Sequence, residues 1–188
     1  MITSVILAGG KSTRTNLNKL CLNIVDKPIL FWTIENIKHN VDKLIIVTGK
    51  FHEQLKEIIP DDIEIKFNEN FEFGMFSSIK CGLEDIDSDV LIQLGDCPFV
   101  KDETIKKIIN AEGKYLIKVP TYKGKHGHPI FIKKELVNII RQSSNETTLK
   151  QIRDKYGFDE VEVEDKNILN DIDYLKDYEN IKADFERR

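Results

Sequence analysis

Gly9-Gly10-Lys11-Ser12-Thr13-Arg14, followed a few residues later by Lys19, sets two adjacent glycines among basic side chains. Adjacent glycines let a backbone turn sharply and approach a ligand closely. Successive N–H groups in such a turn form a concavity that binds anions. Arginine forks two phosphate oxygens, and lysine supplies a compact point charge. These residue types in this order point to a phosphate site; a strand-to-loop turn with solvated cations is the other reading. The stretch does not fit the P-loop pattern G-x-x-x-x-G-K-[ST], because the first glycine would fall on Val5. Nor does it fit G-x-G-x-x-G, because Lys11 and Arg14 stand where glycines are needed.

Acidic residues that could complete such a site lie far along the chain. Asp96 sits in Leu94-Gly95-Asp96-Cys97-Pro98, where Gly95 releases a strand and Pro98 stops regular pairing. Alone, Asp96 reads as a turn former. Beside a phosphate loop, it reads as a Mg²⁺ ligand, since magnesium takes one or two carboxylates together with phosphate oxygens and water. Asn170-Asp171-Ile172-Asp173 offers a second carboxylate, with Asp171 and Asp173 on one side of an extended segment. Asp173 also precedes a helical stretch, where its alternative role is an N-cap.

The elements that must position these groups follow from periodicity. Val5–Ala8, Leu44–Val47, Ile63–Phe67 and Val90–Leu94 are short, β-branched runs bounded by polar residues or glycine, and they read as strands. Tyr115–Val119 and Pro129–Ile132 are further strand candidates. Ile63–Phe67 alternates apolar with charged residues, which predicts one wet face. Amphipathic stretches lie between them: Ile29–Lys38 after Pro28, Phe51–Ile59, Met75–Leu83, Glu103–Ala111, Glu135–Arg141 and Thr147–Lys155. Asp102-Glu103 and Asn145-Glu146 offer caps and acidic first turns, and Tyr174–Arg188 reads as a closing surface helix. Strands alternating with helices predict a mainly parallel sheet covered on both faces, a three-layer, doubly wound α/β fold in one domain over residues 1–188. Ligands in such sheets sit at the carboxyl ends of strands, which directs attention to the residues after Ala8, Val47, Phe67 and Leu94.

Composition narrows the function classes. Of 188 residues, 40% are hydrophobic and 32% charged, which excludes a disordered chain and a membrane protein. The net charge is −4 and no basic run exceeds two residues, so a surface that tracks nucleic-acid phosphates is not expected. Cys21, Cys81 and Cys97 have neither zinc-site nor disulfide spacing. With no basic, apolar leader at Met1–Gly10, a reduced, cytoplasmic protein is expected.

Leu7-Ala8-Gly9-Gly10-Lys11-Ser12-Thr13-Arg14…Lys19 resembles the L-A-[AG]-G-x-S-x-R-M-G-x-x-K signature of the nucleotidyltransferases. Four further segments resemble the molybdenum-cofactor branch, which includes the CTP:molybdopterin cytidylyltransferases. Gly74-Met75-Phe76-Ser77-Ser78-Ile79-Lys80-Cys81-Gly82-Leu83 is similar to G-M-x-x-S-[LIV]-x-x-G-L. Gly95-Asp96-Cys97-Pro98 is similar to G-D-x-P, and Gly127-His128-Pro129 to G-H-P. Asp171-Ile172-Asp173…Asp177-Tyr178 is similar to D-I-D-T-P-E-D-Y. Thr15-Asn16 stands in place of Met-Gly, Cys97 in place of Gln or Met, and Tyr174-Leu175-Lys176 in place of Thr-Pro-Glu.

The resemblance implies a Rossmann-like nucleotidyltransferase fold that moves an NMP from an NTP to a phosphorylated acceptor, molybdopterin, with release of pyrophosphate. It implies that Leu7, Ala8, Gly9, Gly10, Lys11, Ser12 and Thr13 bind the nucleotide together with Ser78 and Asp96. Lys19 and Arg14 are then the catalytic cations, Asp96 and Asp173 hold Mg²⁺, and His128 faces the acceptor. CTP is favoured over GTP because the Gly74–Leu83 and Gly127–Pro129 segments resemble the cytidylyltransferases, although Gly9 gives the form seen in guanylyltransferases. Ser78 has an alternative role as a helix-terminus hydroxyl, and His128 as a histidine fixed in a turn. A two-histidine metal site at His126 and His128 lacks a third ligand nearby in sequence. Phe71, Phe73, Met75 and Phe76 read as core, with a wall beside a base or pterin as the other reading. A sugar- or polyol-phosphate nucleotidyltransferase and a non-catalytic nucleotide or molybdenum-cofactor binding protein are the competing functions.

Overall fold

A computed structural model describes residues 1–10 and 18–169. The expectations for Lys11, Ser12, Thr13, Arg14, Asp171, Asp173 and the Tyr174–Arg188 helix lie outside the described residues.

The chain opens with β1 (Ile2–Ala8), followed after a 3₁₀ turn at Lys19–Cys21 by a small hairpin of β2 (Asn23–Ile24) and β3 (Lys27–Pro28). Pro28 then leads directly into α1 (Ile29–Lys38), where a missing N–H costs nothing. The run continues with β4 (Lys43–Thr48), α2 (His52–Lys56), β5 (Glu64–Phe67), a 3₁₀ turn at Phe71–Phe73, α3 (Met75–Gly82) and β6 (Asp89–Leu94). The second half comprises α4 (Asp102–Asn110), β7 (Ile117–Tyr122), β8 (Lys125–His126), β9 (Ile130–Ile132), α5 (Lys134–Gln142), α6 (Leu149–Tyr156) and β10 (Asp159–Glu162). A 3₁₀ turn at Lys166–Leu169 ends the described residues.

The main sheet runs β10-β7-β9-β6-β1-β4-β5, with β8 beside β7. β6, β1, β4 and β5 are mutually parallel, and β10 is parallel to β7. β9 runs antiparallel between β6 and β7, so the sheet is mixed and mainly parallel. Alternation along the central strands separates two cores. Val5, Ile45, Val47, Val90 and Ile92 pack with Phe76 and Ile79 of α3, Leu136 and Ile140 of α5, and Ile152 of α6. Ile6 and Ile46 point the other way, onto Leu30 and Ile34 of α1 and Leu55 of α2. Leu91 and Phe131 pack with Ile105 and Ile108 of α4. A sheet buried on both faces is the three-layer arrangement that continuous apolar strands dictate.

Some elements differ from expectation for definable reasons. β10 escaped notice because its sequence, Asp-Glu-Val-Glu, buries only Val161 at the sheet edge. β7 starts at Ile117 rather than Tyr115, because the Asp159 carboxylate accepts from the Tyr115 amide at 2.8 Å and holds it in the preceding bend. β5 at the opposite edge does not separate into one wet and one dry face: Glu64 and Phe67 are exposed, and Ile65 and Lys66 are half-buried. The cap of α6 is Thr148, which forms a reciprocal capping box with Gln151, and not Asn145. Asn145 instead accepts from the Lys80 ammonium at 2.9 Å.

α4 has no capping side chain of its own. Asp165, from 61 residues downstream, accepts from the Thr104 hydroxyl at 3.0 Å. It also accepts from the Lys101 amide at 2.8 Å and the Asn167 amide at 3.1 Å. Asp165 is 2% exposed, so its removal leaves donors that water cannot reach. Asp165→Ala is expected to destabilise the protein by about 2–4 kcal/mol, lowering the melting temperature by roughly 5–15 °C. Calorimetry checks this; a variant melting within a degree or two of the parent would refute the long-range cap.

Candidate active site

The carboxyl ends of β1 and β6 and the N-terminal half of α3 enclose a cleft of about 350 Å³. It is lined by Leu7, Ala8, Gly9 and Gly10, by Lys19 and Asp96, and by Phe71, Gly74, Met75 and Ser78; Asn18, Leu20 and Leu94 complete it. The structure thus brings together seven of the residues singled out from sequence: Leu7, Ala8, Gly9, Gly10, Lys19, Ser78 and Asp96.

Gly9 is glycine because its surroundings are tight. A Cβ there would stand 2.8 Å from the Ser78 hydroxyl. Gly49, after β4, is constrained from the opposite side: its Cβ would stand 2.8 Å from both the Gly9 carbonyl oxygen and Phe71 Cβ. Gly10, in contrast, has no described residue within 4 Å of where a Cβ would go. Of the two adjacent glycines, the first is the one that a described side chain crowds.

Ser78 is held by a polar network at the end of β5. The Asn68 amide donates to Ser78 Oγ at 3.0 Å and to Ser77 Oγ at 2.9 Å. Ser77 Oγ is also 2.8 Å from the carbonyl oxygens of both Asn70 and Gly74. Asn68 accepts in turn from the Asn70 amide at 3.0 Å. Among the described residues no acceptor takes the Ser78 proton, so its hydroxyl can donate towards the cleft. Ser78 is the fourth residue of α3, in its N-terminal half.

Lys19 and Asp96 face each other with Nζ 2.5 Å from Oδ2. The Lys19 turn is closed by Asn18, whose carbonyl accepts from the Cys21 amide at 3.0 Å and whose Oδ1 accepts from the Leu20 amide at 3.2 Å. The Asp96 bend is fixed from behind. The Gly95 amide continues the sheet by donating to the Leu7 carbonyl at 3.0 Å, and the Gly95 carbonyl accepts from the Thr33 hydroxyl at 2.8 Å. Gln93 donates to the Cys97 carbonyl at 3.0 Å. A cation and an acid separated by 77 positions in sequence thereby share one cleft wall.

His128 does not line this cleft. The β6–β9 register, with Ile92 opposite Ile130, carries it to the level of Leu94, one strand away from Asp96. The His128–Pro129 peptide is cis, and the His128 amide donates to the Ile168 carbonyl at 2.9 Å. Burial lowers its pKa to about 4, helped by repulsion from Arg153 and opposed by a hydrogen bond with the Ile92 backbone and by the Asp96 charge. At neutral pH the imidazole is therefore uncharged and can offer a hydrogen bond but no positive charge. His126 is taken up differently: its Nε2 lies 2.7 Å from Glu160 Oε1, and its ring meets Phe158 edge-on. Among the described residues there is no cluster of three or more His, Cys, Asp or Glu side chains that could hold a metal.

The aromatic group needs a correction. Phe76 is core, at 5% exposure, but Phe73 and Met75 are exposed. Phe71 and Met75 line the cleft, so they form an apolar wall instead of packing inside. The helix period explains this: Phe76 and Ile79 occupy the buried face of α3, and Met75 falls off it.

Asn18, Gly49 and Asn68 were not singled out from sequence. Gly49 and Asn68 follow Thr48 and Phe67, at the strand ends where ligands are expected, so position alone could have flagged them. Asn18 carries no such signal.

The pattern of the MobA-like NTP transferase domain matches residues 4–161, most of the chain. The chain belongs to the MobA-like NTP transferase domain family. It is 28% identical over 183 residues to the molybdenum cofactor cytidylyltransferase of Escherichia coli, covering 94% of this chain and 93% of that protein. It is 27% identical over 161 residues to the bifunctional protein GlmU of Thermosipho melanesiensis, covering 82% of this chain but 35% of the relative. The chain thus spans about a third of the length of that relative. The fold matches the crystal structure of Rv0371c from Mycobacterium tuberculosis with a TM-score of 0.85 at 23% identity, over 97% of each chain. The matched residues include the whole lining of the cleft. No helix among the described residues is long and apolar enough to cross a membrane.

Proposed function

We propose that this MobA-like NTP transferase moves a nucleoside monophosphate from an NTP to a phosphorylated acceptor and releases pyrophosphate, with CTP as donor and molybdopterin as acceptor. The observation that carries the reading is the meeting of Lys19 and Asp96 beside the Gly9 backbone in one cleft. Near-complete mutual coverage with a molybdenum cofactor cytidylyltransferase favours this donor and acceptor.

In the reaction an acceptor phosphate oxygen bonds to the α-phosphorus. The bond from the α-phosphorus to the oxygen it shares with the β-phosphorus breaks, and pyrophosphate leaves. No general base is required, because the acceptor phosphate is already ionised at neutral pH. Catalysis then consists of positioning and charge neutralisation. Gly9 brings the backbone against the triphosphate, with Leu7, Ala8 and Gly10 beside it. Lys19 meets the charge that develops on the α-phosphoryl group. Ser78 donates to the ribose or base, and the Phe71–Met75 wall excludes water beside it. From the sequence pattern, Arg14 neutralises the leaving pyrophosphate, and Lys11, Ser12 and Thr13 add donors to the triphosphate. From the sequence pattern alone, His128 belongs to the acceptor side.

A divalent metal fits the donor chemistry of this site. Asp96 presents a carboxylate to the cleft next to the phosphate-binding backbone, and Mg²⁺ takes one or two carboxylates plus phosphate oxygens. Asp96, with Asp173 as the second carboxylate, would hold it, and when bound it would screen the charge on the phosphate oxygens.

Thermal melts with each of the four ribonucleoside triphosphates plus Mg²⁺ test the donor, with CTP expected to raise the melting temperature most. Pyrophosphate release with CTP and molybdopterin, set against sugar and polyol phosphates, tests the acceptor. Stabilisation by nucleotide without pyrophosphate from any acceptor would make this a binding protein, and no stabilisation by any triphosphate would remove the reading altogether.

A further inference from the structure

Asn18 immediately precedes the Lys19 turn and is 7% exposed. Its Oδ1 is committed, because it accepts from the Leu20 amide. A backbone N–H can only donate, so this bond also fixes which end of the carboxamide is which. The other end, Nδ2, is buried and has no hydrogen-bond partner among the described residues. A buried donor left without a partner is a net cost, and proteins retain such groups where something else completes them. Asn18 is also part of the wall of the cleft that holds Gly9, Gly10, Lys19 and Asp96. The residue thus has one end that shapes the Lys19 turn and one end that awaits an acceptor.

We infer that Asn18 is a nucleotide-binding residue, its Nδ2 donating to a phosphate oxygen of the triphosphate beside Lys19. The inference rests on the nucleotidyltransferase reading above and adds to it a donor that neither charge nor glycine content reveals. Phosphate is the ligand chemistry that fits, since the cleft beside Asn18 is walled by a cation and a close-approach backbone. A neutral amide there adds direction to the attraction that Lys19 supplies without altering the charge of the Lys19–Asp96 pair.

Two substitutions separate this role from simple turn capping. Asn18→Asp keeps an oxygen for the Leu20 amide but replaces the donor with a negative oxygen. Asn18→Ser keeps a capping hydroxyl without added charge and lacks the second donor. Both should melt within a few degrees of the parent without nucleotide. Both should weaken triphosphate binding, measured by titration calorimetry with the triphosphate and Mg²⁺, by about ten- to hundredfold, the worth of a hydrogen bond to a charged group. Parent-like affinity in both variants would overturn the inference while leaving the nucleotidyltransferase reading intact. A parent protein that binds none of the four triphosphates would overturn both. If only Asn18→Asp lost affinity, the amide's donor role would fall, since charge repulsion would then explain the loss.

Discussion

Lys19→Ala will lower turnover by about 10²–10³-fold while the protein stays folded, because removing one preorganised charge at a reacting centre costs that much. The two effects separate for a structural reason. Lys19 stands on a three-residue turn at the edge of the cleft, and its side chain is 27% exposed. Its ion pair with Asp96 is partly wet, and such pairs contribute at most about 1 kcal/mol to stability. Losing the ammonium therefore changes the folding equilibrium little. In the proposed reaction the same ammonium meets the charge that develops on the α-phosphoryl group. Asp96→Ala should give a comparable loss by a different route, since it removes a carboxylate proposed to hold the metal. The two losses should also fail to add in the double variant, because the two groups are in direct contact and are proposed to serve one phosphoryl centre. Pyrophosphate release alongside circular-dichroism melts makes the measurement. A fully active Lys19→Ala protein with a normal melt would defeat the catalytic assignment.

Acidification from pH 7 to pH 4 will remove about 3 kcal/mol of stability through His128 alone. The folded-state value is about 4, against an ordinary 6.5. Between those pH values the unfolded chain binds a proton at this position and the folded chain does not. Stability therefore rises with pH across the window, is complete above about 6.5, and is lost progressively as the pH falls to 4. The cause is enclosure: Nδ1 is buried and has no acceptor among the described residues to stabilise a second N–H. Asp159 works lower down. Burial pushes its carboxyl up, but the Lys118 ammonium and the Tyr115 and Lys114 amides outweigh that and hold it below its ordinary value. Its contribution is present above the ordinary carboxylate range and is lost only as the pH falls through the depressed value, so it leaves the pH 4–6.5 window to His128. Urea unfolding at pH 7.5, 6 and 5 checks this, with His128→Gln as the comparison. Identical pH dependence in parent and variant would show that the imidazole is not the group responsible.

These two residues also mark how far the sequence can be read. Lys19 was legible because it follows a glycine pair at a strand end and falls on the last position of the nucleotidyltransferase signature, whereas the glycine pair alone reads equally as a plain turn. Asp96 was legible because glycine and proline bracket it. Their meeting was expected from the rule that ligands gather at carboxyl ends of parallel strands, and β1 and β6 are direct neighbours. His128 was legible as a residue but not in its state. Its neutrality comes from the antiparallel insertion of β9 between β6 and β7, which no periodicity announces in a three-residue strand.

Local patterns thus determined the strands, the helices and the cradle at Gly9, because β-branched runs, amphipathic spacing and close-approach glycines act over a few residues. Only the tertiary structure decided which glycines are crowded by distant segments. Gly9 is pressed by Ser78, and Gly49 by Gly9 and Phe71, contacts between segments tens of residues apart. It likewise decided that Asp165 caps a helix 61 residues upstream, that Met75 and Phe71 wall a cleft instead of filling a core, and that Asn18 carries an uncommitted donor. Each of these depends on what lies across the sheet from a residue, and a chain read in one dimension holds no record of that.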